Sequence, residues 1–153
     1  MADKLLSAVN AAHIRRYEKQ GHRKIVTVDI DFSNAAVTSA QNEVVQAIPV
    51  PAGTIVHAVC AEVLVVEGAA RNYAVGDGSS TSGFIPTTTA NTLGKTHQVL
   101  ALTEAAPNTV TGYTNGKFYA AADTIDVLAV TAGGLTTCKL RVEVDMTVYT
   151  AVN

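Results

Sequence analysis

The sequence predicts a mainly β protein: an antiparallel β-sandwich of jelly-roll or Greek-key type with a short N-terminal helix or arm. Several segments alternate apolar and polar residues at the strand period, and turns rich in Gly, Pro and Asn separate them at spacings of about ten residues. The composition agrees, with 48% hydrophobic residues, only 5% aromatic residues and no Trp. A chain of 153 residues fits one domain and is long enough to bury a core.

The clearest alternation is found in the first and the last predicted strands. The first has its apolar residues at Val26, Val28, Ile30 and Phe32, with Thr27, Asp29 and Asp31 between them. The last has Cys138, Leu140, Val142, Val144, Met146 and Val148 on one face, and Lys139, Arg141, Glu143, Asp145 and Thr147 on the other. Each strand is therefore expected to place one face on a core and the other toward water or a partner.

The middle of the chain predicts further strands. Residues 54–66 are almost continuously apolar, which predicts a strand buried on both faces between sheets or subunits, with a bulge or bend midway. The GDGSSTSGF segment is expected to form a loop, and residues 86–94, which are rich in Thr, an irregular stretch. HQVLALT, TVTGYT, KFYAA and TIDVLAVT predict short antiparallel neighbours, with a hairpin turn at Asn115-Gly116.

The N-terminal segment differs from the rest of the chain in charge. Through Lys24 the sequence has six basic and two acidic residues, a net charge of +4, whereas the remainder has five basic and eleven acidic residues, a net charge of -6. We therefore divide the chain into a basic arm, residues 1–23, and a β-sandwich domain, residues 24–153. The arm is either a solvated terminal helix or a helix that docks on an acidic neighbour. Its candidate partner-binding residues are Leu6, Val9, Ile14, Arg15, Arg16, Tyr17, Lys19 and Arg23.

No residue pattern predicts catalysis, and no cofactor or metal is expected. The four histidines are scattered and none has metal-ligand spacing with Asp, Glu or Cys. Asp29 and Asp31 share one strand face and are expected to keep it hydrated, with a cation site or a pair of acting carboxylates as the alternative. The GDGSSTSG loop lacks the Lys of a phosphate-binding loop. Asp77 in that loop is a weak candidate calcium ligand. Cys60 and Cys138 are interpreted as buried free thiols, with a disulfide between facing strands as the alternative.

Composition also restricts the partners and the location. The β domain lacks interleaved aromatic and basic residues, so direct binding of nucleic acid is not expected. The N-terminus has no continuous apolar core of a signal peptide, and no stretch approaches the roughly 20 apolar residues that span a bilayer. The low share of charged residues, 16%, is typical of a protein whose surfaces meet other subunits.

The order of motifs in residues 44–149 resembles that of tailed-phage capsid decoration proteins, also called cement proteins. The resemblance rests on the AIPVPAGT turn, the VLVVEGAARNYAVGDGSSTSGF segment and the final ADTIDVLAVTAGGLTTCKLRVEVDMTVY segment. It implies a β-sandwich that assembles as a homotrimer on the outer capsid surface of the virion and bridges neighbouring major capsid proteins. The basic arm has no counterpart in this resemblance.

Two other classes of function remain open on the sequence alone. A carbohydrate- or receptor-binding β-sandwich module of a phage head fibre or tail would present aromatic residues in exposed loops, for which Tyr73, Phe84 and Tyr113 are the candidates. A jelly-roll enzyme would need a His and carboxylate metal set directed into the barrel, and the spacing of these residues does not provide one.

Overall fold

The computed structural model describes residues 21–97, 113 and 116–149, and within these ranges the chain forms nine strands and no helix. The predicted helix of the arm lies outside the described residues, as do the Asn115 corner of the predicted hairpin and most of the HQVLALT and TVTGYT strands. The strands are β1 His22–Asp31, β2 Val44–Val50, β3 Thr54–Val65, β4 Asn72–Gly76, β5 Ile85–Thr89, β6 Gly94–His97, β7 Lys117–Tyr119, β8 Asp123–Ala129 and β9 Lys139–Val148.

The strands form two antiparallel sheets, which confirms the predicted sandwich. The larger sheet has the order β1-β9-β3-β6, with β7 also pairing to β3, and the smaller sheet has the order β2-β8-β4-β5. The first strand thus pairs with the last, the second with the eighth, the third with the sixth and seventh, and the fourth with the fifth. This nested pairing, distributed over two sheets, is that of a hairpin rolled into a jelly roll.

The core lies between the two sheets. The larger sheet contributes the apolar faces of β1, β3 and β9 to this core. Along β9, buried residues alternate with half-buried ones. Leu140, Val142, Val144 and Met146 have no exposed surface. The alternation predicted for the first and last strands is therefore confirmed, and the two strands pair along their full length from His22↔Val148 to Asp31↔Lys139.

Two predictions about the middle of the chain are wrong. Residues 85–89 form the edge strand β5 instead of an irregular stretch. The KFYAA and TIDVLAVT segments are not neighbours, because β7 pairs with β3 in the larger sheet whereas β8 pairs with β2 and β4 in the smaller. In the single chain, one face of β3 is buried and the other is half-buried or exposed, so burial of both faces between subunits stays a prediction.

The bulge predicted in β3 is present. The register of β3 against β9 shifts between Val56 and Ala58, and again between Val63 and Val65. A bulge bends a strand and redirects the side chains around it. Here the first shift places Ala58 opposite Asp145 on the outer side of the sheet.

The described ranges contain no helix with the length and apolarity that a membrane crossing requires.

Candidate interaction surface

Among the described residues no other sheet covers the outward side of the larger sheet, and we call this side the open face. Strand register places alternate residues of β1, β9, β3 and β6 on it side by side. Its residues are Arg23, Ile25, Thr27, Asp29 and Asp31 of β1, Glu143, Asp145, Lys139, Arg141 and Thr147 of β9, Ala58, Cys60 and Glu62 of β3, and Lys95 and His97 of β6.

Two cross-strand arginine–carboxylate pairs join β1 to β9 on the open face. Arg23 donates to both carboxylate oxygens of Asp145, at 2.9 and 2.5 Å. Arg141 likewise donates to both oxygens of Asp29, at 2.7 and 3.0 Å. These hydrogen bonds lower the pKa of Asp29 and of Asp145. Such two-pronged pairs fix geometry as well as charge, so they hold the two strands in register.

Two lysines complete the pairing of charges on this face. Lys139 lies 2.9 Å from Asp31 on β1. Lys95 of β6 lies 3.6 Å from Glu143 and 3.8 Å from Glu62, which brings charges from three strands together. The open face has four basic and five acidic side chains, with Lys95 shared between two glutamates, so its net charge is small and it can meet another protein with a small electrostatic penalty.

Between these ion pairs the open face has a shallow groove of about 320 Å³. Ile25 has 72% of its surface exposed there. The alternate residues on either side of it in β1, Arg23 and Thr27, are polar. The groove crosses all four strands. Its lining consists of the apolar residues Ile25, Ala58, Val59 and Cys60 together with His97, Glu143 and Asp145.

A second polar centre lies where the loop of residues 77–83 leaves β4. Asp77 has no exposed surface, and its carboxylate accepts five hydrogen bonds. Oδ1 accepts from the backbone N–H groups of Ser79 and Ser80 at 2.9 and 3.0 Å and from the Tyr113 hydroxyl at 3.0 Å. Oδ2 accepts from Lys117 Nζ and from the Tyr119 hydroxyl, both at 2.6 Å.

The electrostatics of this centre favour the charged carboxylate. Burial alone would raise the pKa of Asp77, but the hydrogen bonds from Lys117 and Tyr119 and from the Ser80 and Ser79 N–H groups outweigh it, so the pKa is lowered. Lys117 lies over two aromatic rings, with Nζ 4.3 Å from the Tyr113 centroid and 4.8 Å from the Tyr119 centroid. A lysine already supplies the positive charge that a calcium ion would bring, so the centre acts as an anchor for the loop.

Two glycines allow the loop to fold tightly over this anchor. A Cβ atom on Gly76 would come within 1.9 Å of the Ser80 carbonyl oxygen. A Cβ atom on Gly83 would come within 2.3 Å of Cε2 of Tyr113, whose ring packs at 4.9 Å from that of Phe84. The glycines of the VGDGSSTSGF segment therefore permit close packing around Asp77 and do not form a phosphate-binding loop.

Two further carboxylates are buried in the sandwich. Glu67 accepts hydrogen bonds from three consecutive backbone N–H groups, those of residues 136, 137 and 138, and from the hydroxyls of Thr136 and Thr137. Burial opposes ionisation, but these donors prevail and hold the pKa of Glu67 below its usual range. Asp126 accepts from the Thr124 hydroxyl at 2.6 Å, and burial is the main cause of its raised pKa.

Of the candidate partner-binding residues, Arg23 is described, and it lies in β1 on the open face. Leu6, Val9, Ile14, Arg15, Arg16, Tyr17 and Lys19 lie outside the described residues. Because β1 begins at His22, Arg23 belongs structurally to the sandwich and is bonded to Asp145. Its guanidinium remains accessible, with 69% of the side chain exposed.

Among the histidines and cysteines noted in the sequence, Cys60 of β3 is the register partner of His97 of β6. Nε2 of His57 lies 2.8 Å from the Thr147 hydroxyl, and His97 lines the groove. Both thiols are free, with Cys138 buried as expected and Cys60 half-buried in the groove. Within the described ranges no three His, Cys, Asp or Glu residues are grouped so that they could hold a metal ion.

The groove and the partner of Asp77 were both missed by sequence reasoning. One signal for the groove was available, because Ile25 is the one large apolar residue in the polar phase of β1. Ala58 and Cys60 reach the same place only through the bulge in β3 and the pairing of three strands. Lys117 is 40 residues from Asp77, and no local pattern connects them.

Comparison with known proteins defines the class of fold. No family model and no curated protein sequence matches the chain. Three solved structures share its fold. A chain of the acidic stable capsid of Helicobacter pylori bacteriophage KHP30 is 12% identical with a TM-score of 0.54, covering 87% of this chain and 98% of that one.

The other two are also capsid structures. A chain of the cyanophage Pam1 capsid asymmetric unit is 18% identical with a TM-score of 0.61, covering 84% of this chain and 86% of that one. A chain of the Ralstonia phage GP4 capsid is 13% identical with a TM-score of 0.59, covering 86% of this chain and 88% of that one. The chain therefore has the jelly-roll fold of proteins found in phage capsid structures.

Proposed function

We propose that the chain is a structural protein of a phage virion, a capsid decoration protein that binds the outer capsid surface and stabilises the shell. The observation that carries this proposal is the shared fold: a rolled two-sheet sandwich that matches chains of three phage capsid structures over 84 to 87% of its own length. The order of sequence motifs in residues 44–149 supports the same class. Since fold alone does not fix function, the proposal needs its own test.

The proposed mode of action is mechanical and requires no catalysis. A homotrimer presents three equivalent attachment surfaces, and simultaneous attachment to neighbouring major capsid proteins makes release slow. Each bridge adds to the free energy required to separate adjacent capsid subunits. The sandwich is suited to this role, because Asp77, Glu67 and the ion pairs of the open face fix its loops and strands.

The basic arm is proposed to supply part of the contact with the capsid or with an adjacent subunit. Leu6, Val9, Ile14 and Tyr17 would provide its apolar side, and Arg15, Arg16, Lys19 and Arg23 its charges. Ordering a terminal segment costs about 1 to 2 kcal/mol per residue. A thin apolar stripe does not offset that cost alone, so a partner surface that adds burial and charge pairing is required.

The test is to image virions of the phage that encodes the chain, with and without its gene, by electron microscopy. The proposal predicts that deletion removes density from the outer capsid surface and lowers the temperature at which the shell releases DNA. Density lost instead from head fibres or the tail, with binding of the purified chain to host-surface glycans, would support the carbohydrate- or receptor-binding module. Light scattering of the purified chain, 15.9 kDa, should give about 48 kDa for a trimer.

A further inference from the structure

The groove on the open face is an apolar site on a surface where charges are otherwise paired. Ile25 contributes the largest exposed apolar surface, and Ala58 and Cys60 have side chains too small to fill the space beside it. A groove of about 320 Å³ has room for one large side chain. Aromatic residues are the usual anchors in such interface pockets, with the polar end of Tyr able to remain at the rim.

The acidic side chains at the rim of the groove favour a positively charged residue next to that aromatic side chain. Glu143 and Asp145 are its ionised groups. Nη2 of Arg23 lies 2.5 Å from Oδ2 of Asp145 and neutralises its charge. Nζ of Lys95 lies 3.6 Å from Oε1 of Glu143, which is longer than a hydrogen bond. Glu143 therefore has capacity for a further cation. The chemistry that fits is an aromatic side chain next to an arginine.

This chain carries that combination in the 20 residues that precede the described sandwich. Tyr17 directly follows Arg15 and Arg16, and the segment is basic. We propose that Tyr17 of one copy occupies the groove of a neighbouring copy, with Arg16 beside Glu143 of that copy. The inference rests on the homo-oligomer put forward above and specifies one of its contacts.

The direction of β1 favours a neighbouring copy over the same chain. The strand enters the sheet at His22 and runs toward Ile25, so its own Tyr17 would have to reverse direction to reach the groove. The four residues from 17 to 21 span at most about 14 Å, and the four from 21 to 25 already cover about 13 Å of strand. A return over its own strand would therefore require a sharp reversal just before β1, which the approach of a neighbouring copy does not require.

A return path of the same chain would also have to pass over the side chains near the start of β1. A Cβ atom on Gly21 would lie 3.1 Å from Cε1 of Tyr149 and 3.2 Å from Cγ2 of Thr147. These side chains, together with Arg23, cover the open face between Gly21 and Ile25. A neighbouring copy can approach the groove from above without crossing them.

Cys60 makes the proposal directly testable, because it lines the groove while Cys138 is completely buried. A chain with Tyr17→Cys and Cys60→Ser is mixed with the wild-type chain and treated with a mild oxidant or a short bis-maleimide. The matched control replaces Tyr17→Cys by Gln46→Cys, at an exposed position on β2 of the other sheet.

The expected result is a covalent pair of the two chains on a non-reducing gel, formed at least tenfold faster than with the Gln46→Cys control. Equal rates for the two variants would overturn the inference. The inference would also be overturned if a Tyr17→Cys chain with native Cys60 formed the link only within one chain and ran as a monomer on the gel.

A second variant tests the groove without new cysteines. Ile25→Lys places a charge against the arginines and should raise the dissociation constant of the oligomer at least tenfold by light scattering. Leu93→Lys, at another exposed apolar side chain (64% exposed), should leave it unchanged. Unaltered assembly of Ile25→Lys would contradict the inference. Capsid binding measured in parallel separates the two proposals: chains that bind capsids without the cross-link retain the proposed function and lose only this contact.

Discussion

Lys117 Nζ lies 2.6 Å from Oδ2 of Asp77, and the two residues join β7 of the larger sheet to the loop that leaves β4 of the smaller sheet. The Asp77 side chain is completely buried, and that of Lys117 is 20% exposed. A buried pair of this kind need not stabilise more than well-packed apolar residues would, but removal of one partner leaves an uncompensated charge. Its role is therefore to fix one position of the loop and of β7.

The first prediction concerns this pair. Asp77→Ala should destabilise the fold by about 3 to 5 kcal/mol, because Lys117 loses its counter-ion and two tyrosine hydroxyls lose their acceptor. Asp29→Ala is the matched control, since its pair with Arg141 is exposed and solvent screens it, so its loss should change stability far less. Urea denaturation of both variants measures the difference. Similar losses would show that the buried pair is no more important than the surface one.

The second prediction is a pH dependence from Glu67. Its pKa is lowered in the folded state, so its stabilisation is present above the pKa of the unfolded chain and is lost as pH falls through the folded value. Glu67→Gln removes the charge that five donors share and should cost about 1.5 to 3 kcal/mol at pH 7. The difference in melting temperature between wild type and Glu67→Gln should shrink as the pH falls below about 4.

A constant difference across that pH series would contradict the assignment. Glu43→Gln provides the control, because Glu43 is exposed and bonds only locally, to the Ala40 N–H at 2.6 Å. Its melting temperature should follow that of the wild type throughout.

Sequence reasoning succeeded where the pattern that determines a strand and its buried face lies within a short stretch of sequence. For β1 and β9, strict alternation determines the buried face, and residues such as Val28 and Val142 lie where that pattern puts them. β5 was missed because Pro86 and three threonines are unusual in a central strand. The strand lies at the edge of its sheet, where a Pro without an N–H group is tolerated.

Other failures come from contacts between residues distant in sequence. β7 and β8 follow each other along the chain, and adjacent strands usually pair, but the rolled topology sends them to different sheets. On its outer side β3 carries Ala58 and Cys60 of the groove, and the part of the chain that the structure describes has no layer above them. The groove depends on a bulge and on the register of four strands, neither of which is encoded in a short sequence window.

The third prediction tests the assignment of faces in β9. Val144 has no exposed surface, and Val144→Asp would bury an unpaired carboxylate at a cost of several kcal/mol, against a total stability of roughly 5 to 15 kcal/mol. The chain should fail to fold or should lose most of its stability. Val65→Asp is the same substitution at a position 47% exposed and should remain soluble with a nearly unchanged melting temperature. A stable Val144→Asp protein would mean that the faces are reversed.

The fourth prediction separates the arm from the sandwich. Since β1 begins at His22, deletion of residues 1–20 keeps all nine described strands and should leave the melting temperature within a few degrees of that of the full chain. The same deletion removes Arg15, Arg16 and Lys19, so attachment to capsids should weaken. The full-length chain should lose affinity as salt rises, because at about 1 M salt the Debye length falls to about 3 Å and surface charges no longer attract.

Co-sedimentation with capsids across a salt series measures both effects. The truncated chain should bind more weakly at low salt and show a flatter salt dependence than the full-length chain, because fewer charges contribute to its attachment. A variant with Arg15→Ala and Arg16→Ala in the full-length chain controls for the loss of length and of apolar residues. Equal binding by all three proteins at every salt concentration would mean that the arm is a solvated terminal segment, whereas unfolding of the truncated chain would mean that the arm packs on its own sandwich.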